Sequence, residues 1–158
     1  MTLAEVYRKM DINSIESYIP HRKPFLYVDE ILSLEENKIT TTFTPDSSLD
    51  FFKGHYPNQP IMPGVLINEC VFQSAAILIS ATIKNNKNDL DIKSDVPALT
   101  RIKNAKFKGI VKPNDLLSIE ATIEECLSKT WYMKGKVTSK NKTILTIDYS
   151  VSLIDANF

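Results

Sequence analysis

His55 and Glu69 are the residues of this chain whose types and surroundings could together move protons. They lie within Lys53 to Gln73, which reads K-G-H-Y-P-N-Q-P-I-M-P-G-V-L-I-N-E-C-V-F-Q. An imidazole is substantially neutral near neutral pH and can accept a proton. A carboxyl set in apolar surroundings holds its proton more firmly than one in water. Each residue alone has an ordinary explanation: a loop histidine is commonly structural, and a helix Glu can serve an interface or a satisfied core network. Together they describe an acid/base pair, because a buried, unpaired carboxylate would cost several kcal/mol and Glu69 therefore needs a partner, a proton or a task.

The elements that would hold this pair are legible in the same stretch. Pro57, Pro60 and Pro63 fix φ and remove N–H donors, which predicts a stiff, extended loop from Tyr56 to Pro63. Gly54 and Gly64 flank that loop. From Val65 to about Ile83 the chain turns apolar, and this run predicts a helix starting near Gly64. Gln73 follows Glu69 by one helical turn, where its amide could orient the carboxyl or could be a core amide satisfied elsewhere. Tyr56 could line a pocket beside His55, although packing is the commoner use of an aromatic there.

The 158 residues fit one domain, residues 1–158, long enough for a real core. Lys plus Arg and Asp plus Glu balance at 19 each, so no global field argues for nucleic acid. Cys70 and Cys126 have neither metal-ligand spacing nor a disulfide framework, as expected for reduced thiols in the cytoplasm. The opening M-T-L-A-E-V-Y-R-K-M lacks the apolar centre of a signal peptide. Asn68, Glu69, Gln73, Ser74, Ser80 and Thr82 interrupt the long apolar run, which therefore predicts a helix buried in protein rather than in a bilayer.

Around that helix the pattern predicts a short helix over Asp11–Tyr18, capped by Asp11 or Asn13. Strands are expected over Phe25–Leu34 and Lys38–Thr44, then an irregular stretch from Pro45 to Phe52. Lys84 to about Val96 reads as a polar surface loop. Further strands are expected near Ala98–Lys108, Leu116–Glu125, Thr130–Ser139 and Lys142–Ile154, the last two joined as a hairpin at Lys140-Asn141. Runs of strands around one dominant helix indicate an α+β domain.

The spacing His55-x4-Pro60-x2-Pro63-Gly64-x4-Glu69-x3-Gln73 resembles the active-site stretch of the FabZ-type (3R)-hydroxyacyl-[acyl-carrier-protein] dehydratases. Asp11 to Val28, with P-H-R-K-P-F-L-Y-V at its end, resembles the family's opening helix and lead-in to the first strand. Phe107 to Asp115, F-K-G-I-V-K-P-N-D, resembles its later F-x-x-x-V-x-P-G-D turn. The resemblance implies a hotdog fold, an antiparallel sheet wrapped around one long central helix.

It also implies a reaction: loss of water from a (3R)-hydroxyacyl thioester to give the trans-2-enoyl thioester, in fatty-acid or related acyl-chain biosynthesis. His55 would be the base and Glu69 the acid, with the Gly64 N–H at the helix start receiving the thioester carbonyl. Gln73 and Tyr56 would complete the substrate-binding set, and His21 and Asp115 read as structural residues. Neither a metal nor an organic cofactor is expected. The partner implied is an acyl carrier protein with a phosphopantetheine-linked acyl chain, and Arg101, Lys103 and Lys106 could dock its acidic surface or form a solvated strand face. The family assembles as a homodimer or a trimer of dimers, with His55 and Glu69 supplied by opposite protomers. Relatives that also move the double bond (the FabA type) carry Asp at the position of Glu69, so dehydration and its reverse are expected alone.

Several positions depart from the family pattern. Cys70 and Phe72 stand where small residues are usual, Ala76 where glycine is frequent, and Asn68 where an apolar residue is usual. Arg101 and Lys103 replace Gly and Asp, Ala98 and Leu99 fall near the aromatic gate of relatives, and Asn114 replaces a turn glycine. These bear on substrate length and pathway more than on reaction type. The alternatives are a hotdog acyl thioesterase, against which the His55 loop argues, and a non-catalytic acyl-binding subunit, which loss of His55 or Glu69 would have suggested.

Overall fold

The computed structural model describes residues 12–85 and 95–155. In chain order these form α1 (Ile12–Tyr18), β1 (Glu30–Leu34), β2 (Lys38–Phe43), α2 (Asp50–Gly54), α3 (Gly64–Asn85), β3 (Asp95–Phe107), β4 (Leu117–Leu127), β5 (Thr130–Ser139) and β6 (Lys142–Asp155). The strands make one six-stranded sheet in the order β1-β2-β4-β5-β6-β3, antiparallel at every pairing. The sheet curls around α3, and the expected α+β architecture is the observed one.

Alternation in the strands explains which way they face. In β5, Trp131, Met133 and Val137 are buried while Tyr132, Lys134 and Lys136 are exposed. In β4, Leu117, Ile119 and Ala121 point to the same interior. Gly135 takes the inward position directly beneath α3, where an added Cβ would run into the side chain of Val71 and stand 2.9 Å from Ile147. The helix can lie this close to the sheet only because Gly135 has no side chain. Helix α3 is long and apolar enough to cross a membrane by composition, but most of it is buried inside the fold, including every residue from Gln73 to Ile79.

The hairpin between β5 and β6 turns at Lys140-Asn141, both with positive φ (51 and 61), as a two-residue turn of the expected kind requires. Asn114 also has positive φ (66), so the position where the resembled turn pattern has glycine adopts a left-handed backbone with one of the few other residue types that tolerate it. Asp115 is a turn residue: its Oδ2 accepts the Lys112 amide at 2.9 Å, and Oδ1 meets Lys140 Nζ at 2.6 Å.

Three expectations about elements need correction. The strand predicted from Phe25 begins only at Glu30, because backbone groups of Phe25 and Tyr27 bond the Gln73 side chain of α3, and contact with β2 starts with the Asp29 amide on the Thr42 carbonyl at 2.8 Å. The stretch predicted to be irregular before the loop contains α2, in which Phe52 is buried and the Lys53–Asp50 pair closes the turn at 2.7 Å. Tyr56–Gln59 forms a turn, with the Gln59 amide on the Tyr56 carbonyl at 2.8 Å, so the loop is extended only from Pro60 on. The Asp11 and Asn13 cap and most of the Lys84–Val96 loop lie outside the residues whose side chains or backbone are described.

One long edge of the sheet is distinctive. Strand β3 pairs only with β6, and its pattern shows no buried face: Leu99, Ile102 and Phe107 are all exposed. The apolar surface left uncovered in the single chain is therefore mainly on β3 and on Val65, Ile110 and Leu116, rather than along the middle of α3.

Candidate active site

His55 follows α2 directly, and its amide bonds the Phe51 carbonyl at 2.8 Å. Its ring Nδ1 lies 2.8 Å from the Ile61 carbonyl across the proline loop. A carbonyl can only accept, so the neutral imidazole carries its proton on Nδ1 and keeps a lone pair on Nε2. Tyr56 packs edge-on against this ring at 4.7 Å between centroids. Tyr56 itself is exposed and has positive φ (56), a conformation a bulky residue adopts only where its surroundings hold it.

The far end of the loop is tied to the connection between β3 and β4, since the Met62 amide bonds the Val111 carbonyl at 2.8 Å. Pro63 then starts α3, its carbonyl accepting the amides of Leu66 and Ile67. Gly64 and Val65 thus fall in the first turn, where N–H groups have no intrahelical acceptor and favour a partial negative charge. An added Cβ on Gly64 would stand 3.0 Å from the Phe107 ring, so the glycine admits that ring against the helix start.

Glu69 lies one and a half turns into α3 and is only partly buried. Gln73 organises its surroundings. The Gln73 amide nitrogen donates to Glu69 Oε1 and to the Phe25 carbonyl, each at 3.0 Å, and its oxygen accepts the Tyr27 amide at 2.7 Å. Of the two expectations for Gln73, an orienting amide and a core amide satisfied elsewhere, the structure realises both. His21, which the sequence suggested as a structural residue, is brought to the same carboxyl: its Nε2 stands 3.7 Å from Glu69 Oε1. Only its place in the lead-in motif could have signalled this. Both contacts fall on Oε1, and among the described residues Oε2 has no hydrogen-bond partner.

Burial, followed by the charge of Glu69, pushes the Cys70 thiol far above its ordinary range, which leaves it inert as a nucleophile. Burial, then Cys70 and Glu69, likewise raise the Tyr27 phenol. No hydrogen bond or ion pair joins His55 to Glu69 among the described residues of the chain. Arg101, Lys103 and Lys106 are exposed on β3. Among the described residues no three of His, Cys, Asp and Glu cluster so as to hold a metal ion.

A family profile described as a FabA-like domain matches residues 19–148. A relative from Rickettsia rickettsii (strain Sheila Smith), named 3-hydroxyacyl-[acyl-carrier-protein] dehydratase FabZ, is 36% identical over 92% of this chain and 97% of its own. The protein of the same name from Rickettsia akari (strain Hartford) is likewise 36% identical over the same shares. Among solved structures, the dehydratase heterocomplex ApeI:P from Xenorhabdus doucetiae superposes with TM-score 0.75 at 14% identity, covering 89% of this chain and 91% of that one. A hypothetical thioesterase with coenzyme A from Streptococcus pneumoniae superposes with TM-score 0.58 at 12% identity, covering 79% and 84%. These two structures are similar in fold alone.

Proposed function

The chain belongs to the FabA-like domain family, among the FabZ-type 3-hydroxyacyl-[acyl-carrier-protein] dehydratases, and on that premise we propose that it dehydrates (3R)-hydroxyacyl thioesters carried on acyl carrier protein, using His55 as base and Glu69 as acid. The observation that carries the assignment of roles is the Ile61 carbonyl, 2.8 Å from His55 Nδ1. With the proton held there, Nε2 is the basic atom and takes the proton from Cα. The electron pair of that C–H bond forms the Cα–Cβ double bond, and the Cβ–O bond breaks. Glu69 Oε2, without a hydrogen-bond partner among the described residues, gives its proton to the departing hydroxyl, which leaves as water. Negative charge that gathers on the thioester carbonyl is met by the Gly64 N–H at the helix start. Tyr56 lines the approach beside His55, and Gln73 holds the carboxyl.

The working unit is a dimer. A thirteen-residue edge strand with exposed Leu99, Ile102 and Phe107 is an invitation to pairing unless it is covered. A second copy aligned along β3 covers it and brings one protomer's His55 towards the other's Glu69. Such dimers could associate further as a trimer of dimers. Arg101, Lys103 and Lys106 project from this edge, where they attract the acidic carrier protein and raise its rate of encounter. The enzyme acts in the cytoplasm, as its buried apolar helix and free cysteines accord with.

The test is an assay on 3-hydroxyacyl and enoyl carrier-protein thioesters that follows water loss, water addition and free thiol. Dehydration and hydration are expected without thiol release and without a cis-3-enoyl product. His55→Ala and Glu69→Gln should each abolish both directions while circular dichroism stays unchanged. Thiol release as the main reaction, or near-full turnover by either variant, overturns the reading.

A further inference from the structure

His21 has no part in the roles assigned so far, yet its position is unusual for a packing residue. Its ring approaches Glu69 on the same oxygen that Gln73 engages, with Nε2 at 3.7 Å. Its other nitrogen, Nδ1, is buried and meets no hydrogen-bond partner among the described residues. An N–H buried without an acceptor costs more than a lone pair left alone, so the proton belongs on Nε2, facing the carboxyl. The segment that carries the ring is fastened on both sides. The Arg22 guanidinium donates to the carbonyls of Ile19 (2.9 Å) and His21 (2.7 Å), and Gln73 fastens Phe25 and Tyr27 to α3. The Phe25 ring lies over the imidazole, nearly parallel (19°) at 6.4 Å.

We propose that His21 is a positioning residue for Glu69: its Nε2–H and the Gln73 amide grip Oε1 from two sides, so that Oε2 alone is presented to the substrate. At 3.7 Å the separation is about 0.7 Å longer than a typical N–H···O hydrogen bond, as hydrogen bonds in substrate-free active sites often are before they tighten in the complex. One carboxyl oxygen is thereby dedicated to position and the other to proton delivery. Without His21 the Gln73 contact remains a single pivot, and the carboxyl can swing about it. The inference rests on Glu69 acting as the acid.

Two variants separate this role from simple packing. His21→Gln keeps an N–H near the Nε2 position, whereas His21→Leu keeps bulk and loses the donor. For His21→Leu, kcat should fall between about 10- and 100-fold with KM changed less than about twofold, as for a misplaced catalytic group. His21→Gln should recover most of that loss at a similar melting temperature. Equal losses in both His21 variants, tracking a lowered melting temperature, mean packing and overturn the proposal. So does a His21→Leu enzyme with wild-type kcat while Glu69→Gln is dead, which leaves the acid role standing. An active Glu69→Gln enzyme overturns both. The chain has two histidines, so long-range ¹H–¹⁵N correlation spectra of the wild type give an independent reading. His21 should show the Nε2–H tautomer and His55 the Nδ1–H tautomer; an Nδ1–H tautomer at His21 overturns the proposal without any mutation.

Discussion

Gln73 Nε2 stands 3.0 Å from Glu69 Oε1, one helical turn away, and the same amide group also satisfies two backbone groups of the segment before β1. One side chain therefore links the Glu69 carboxyl to the segment before β1. Gln73→Leu would leave the buried Tyr27 amide without an acceptor, a cost of about 1–3 kcal/mol. Denaturant unfolding should register that loss, and kcat should drop more than KM rises. A stable variant with unchanged kcat would mean that Glu69 needs no such restraint.

Gly135→Ala should destabilise the protein although it adds a single methyl group. That methyl would collide with Val71 of α3 and crowd Ile147, neither of which can retreat from the packed core. Overpacking of this kind costs about 1–3 kcal/mol. Thermal unfolding should reveal a drop of about 2–4 °C for each kcal/mol in a chain of this size.

Tyr149→Phe should do the opposite. Burial holds the Tyr149 phenol far above its ordinary range, and its hydroxyl meets no partner among the described residues. The ring itself packs edge-on against Phe72 at 5.1 Å, a contact phenylalanine preserves. Removing the stranded hydroxyl should stabilise by about 1 kcal/mol. A lower melting temperature for the variant would reveal a partner for that hydroxyl.

Asp115 should make stability depend on acid. Burial works upward on its carboxyl, but bonds from Lys140 and the Lys112 amide, with the charges of both lysines, outweigh it and hold the carboxyl below its ordinary 3.8. A group lowered on folding contributes stability that is full above its unfolded value and is lost as pH falls through the folded one. Asp115→Asn should therefore lower the melting temperature at pH 7, and the gap from wild type should close below the ordinary carboxylate range. A gap that persists undiminished in acid would show that the ion pair is not its source.

Mixing tests whether the site is shared. His55→Ala and Glu69→Gln homodimers each lack one catalytic type at both sites and should be dead. Refolded together, confirmed heterodimers should recover about half of wild-type activity per dimer, since one of two independent sites carries both native residues. Heterodimers verified by mass that stay inactive would place each site within one chain.

Much of this was legible in residue order because local rules carry it. The prolines and Gly64 mark the loop and the start of α3, alternation gives β5 and β6 their faces, and Lys140-Asn141 makes their turn. The spacing from His55 to Gln73 put two groups able to move protons on a loop and on a helix, and the structure has them there. Other features depended on residues far apart in the chain. Nothing local distinguishes Phe25–Val28 from a strand; it stays out of the sheet while Gln73, 46 residues after Tyr27, takes the Tyr27 hydrogen bond. His21 meets Glu69 only through the same long-range fastening, and Gly135 matters because Val71 passes over it. Local spacing specifies which groups are available, but hydrogen bonds and packing between distant segments decide which atoms meet, and those contacts exist only after the sheet has closed around the helix.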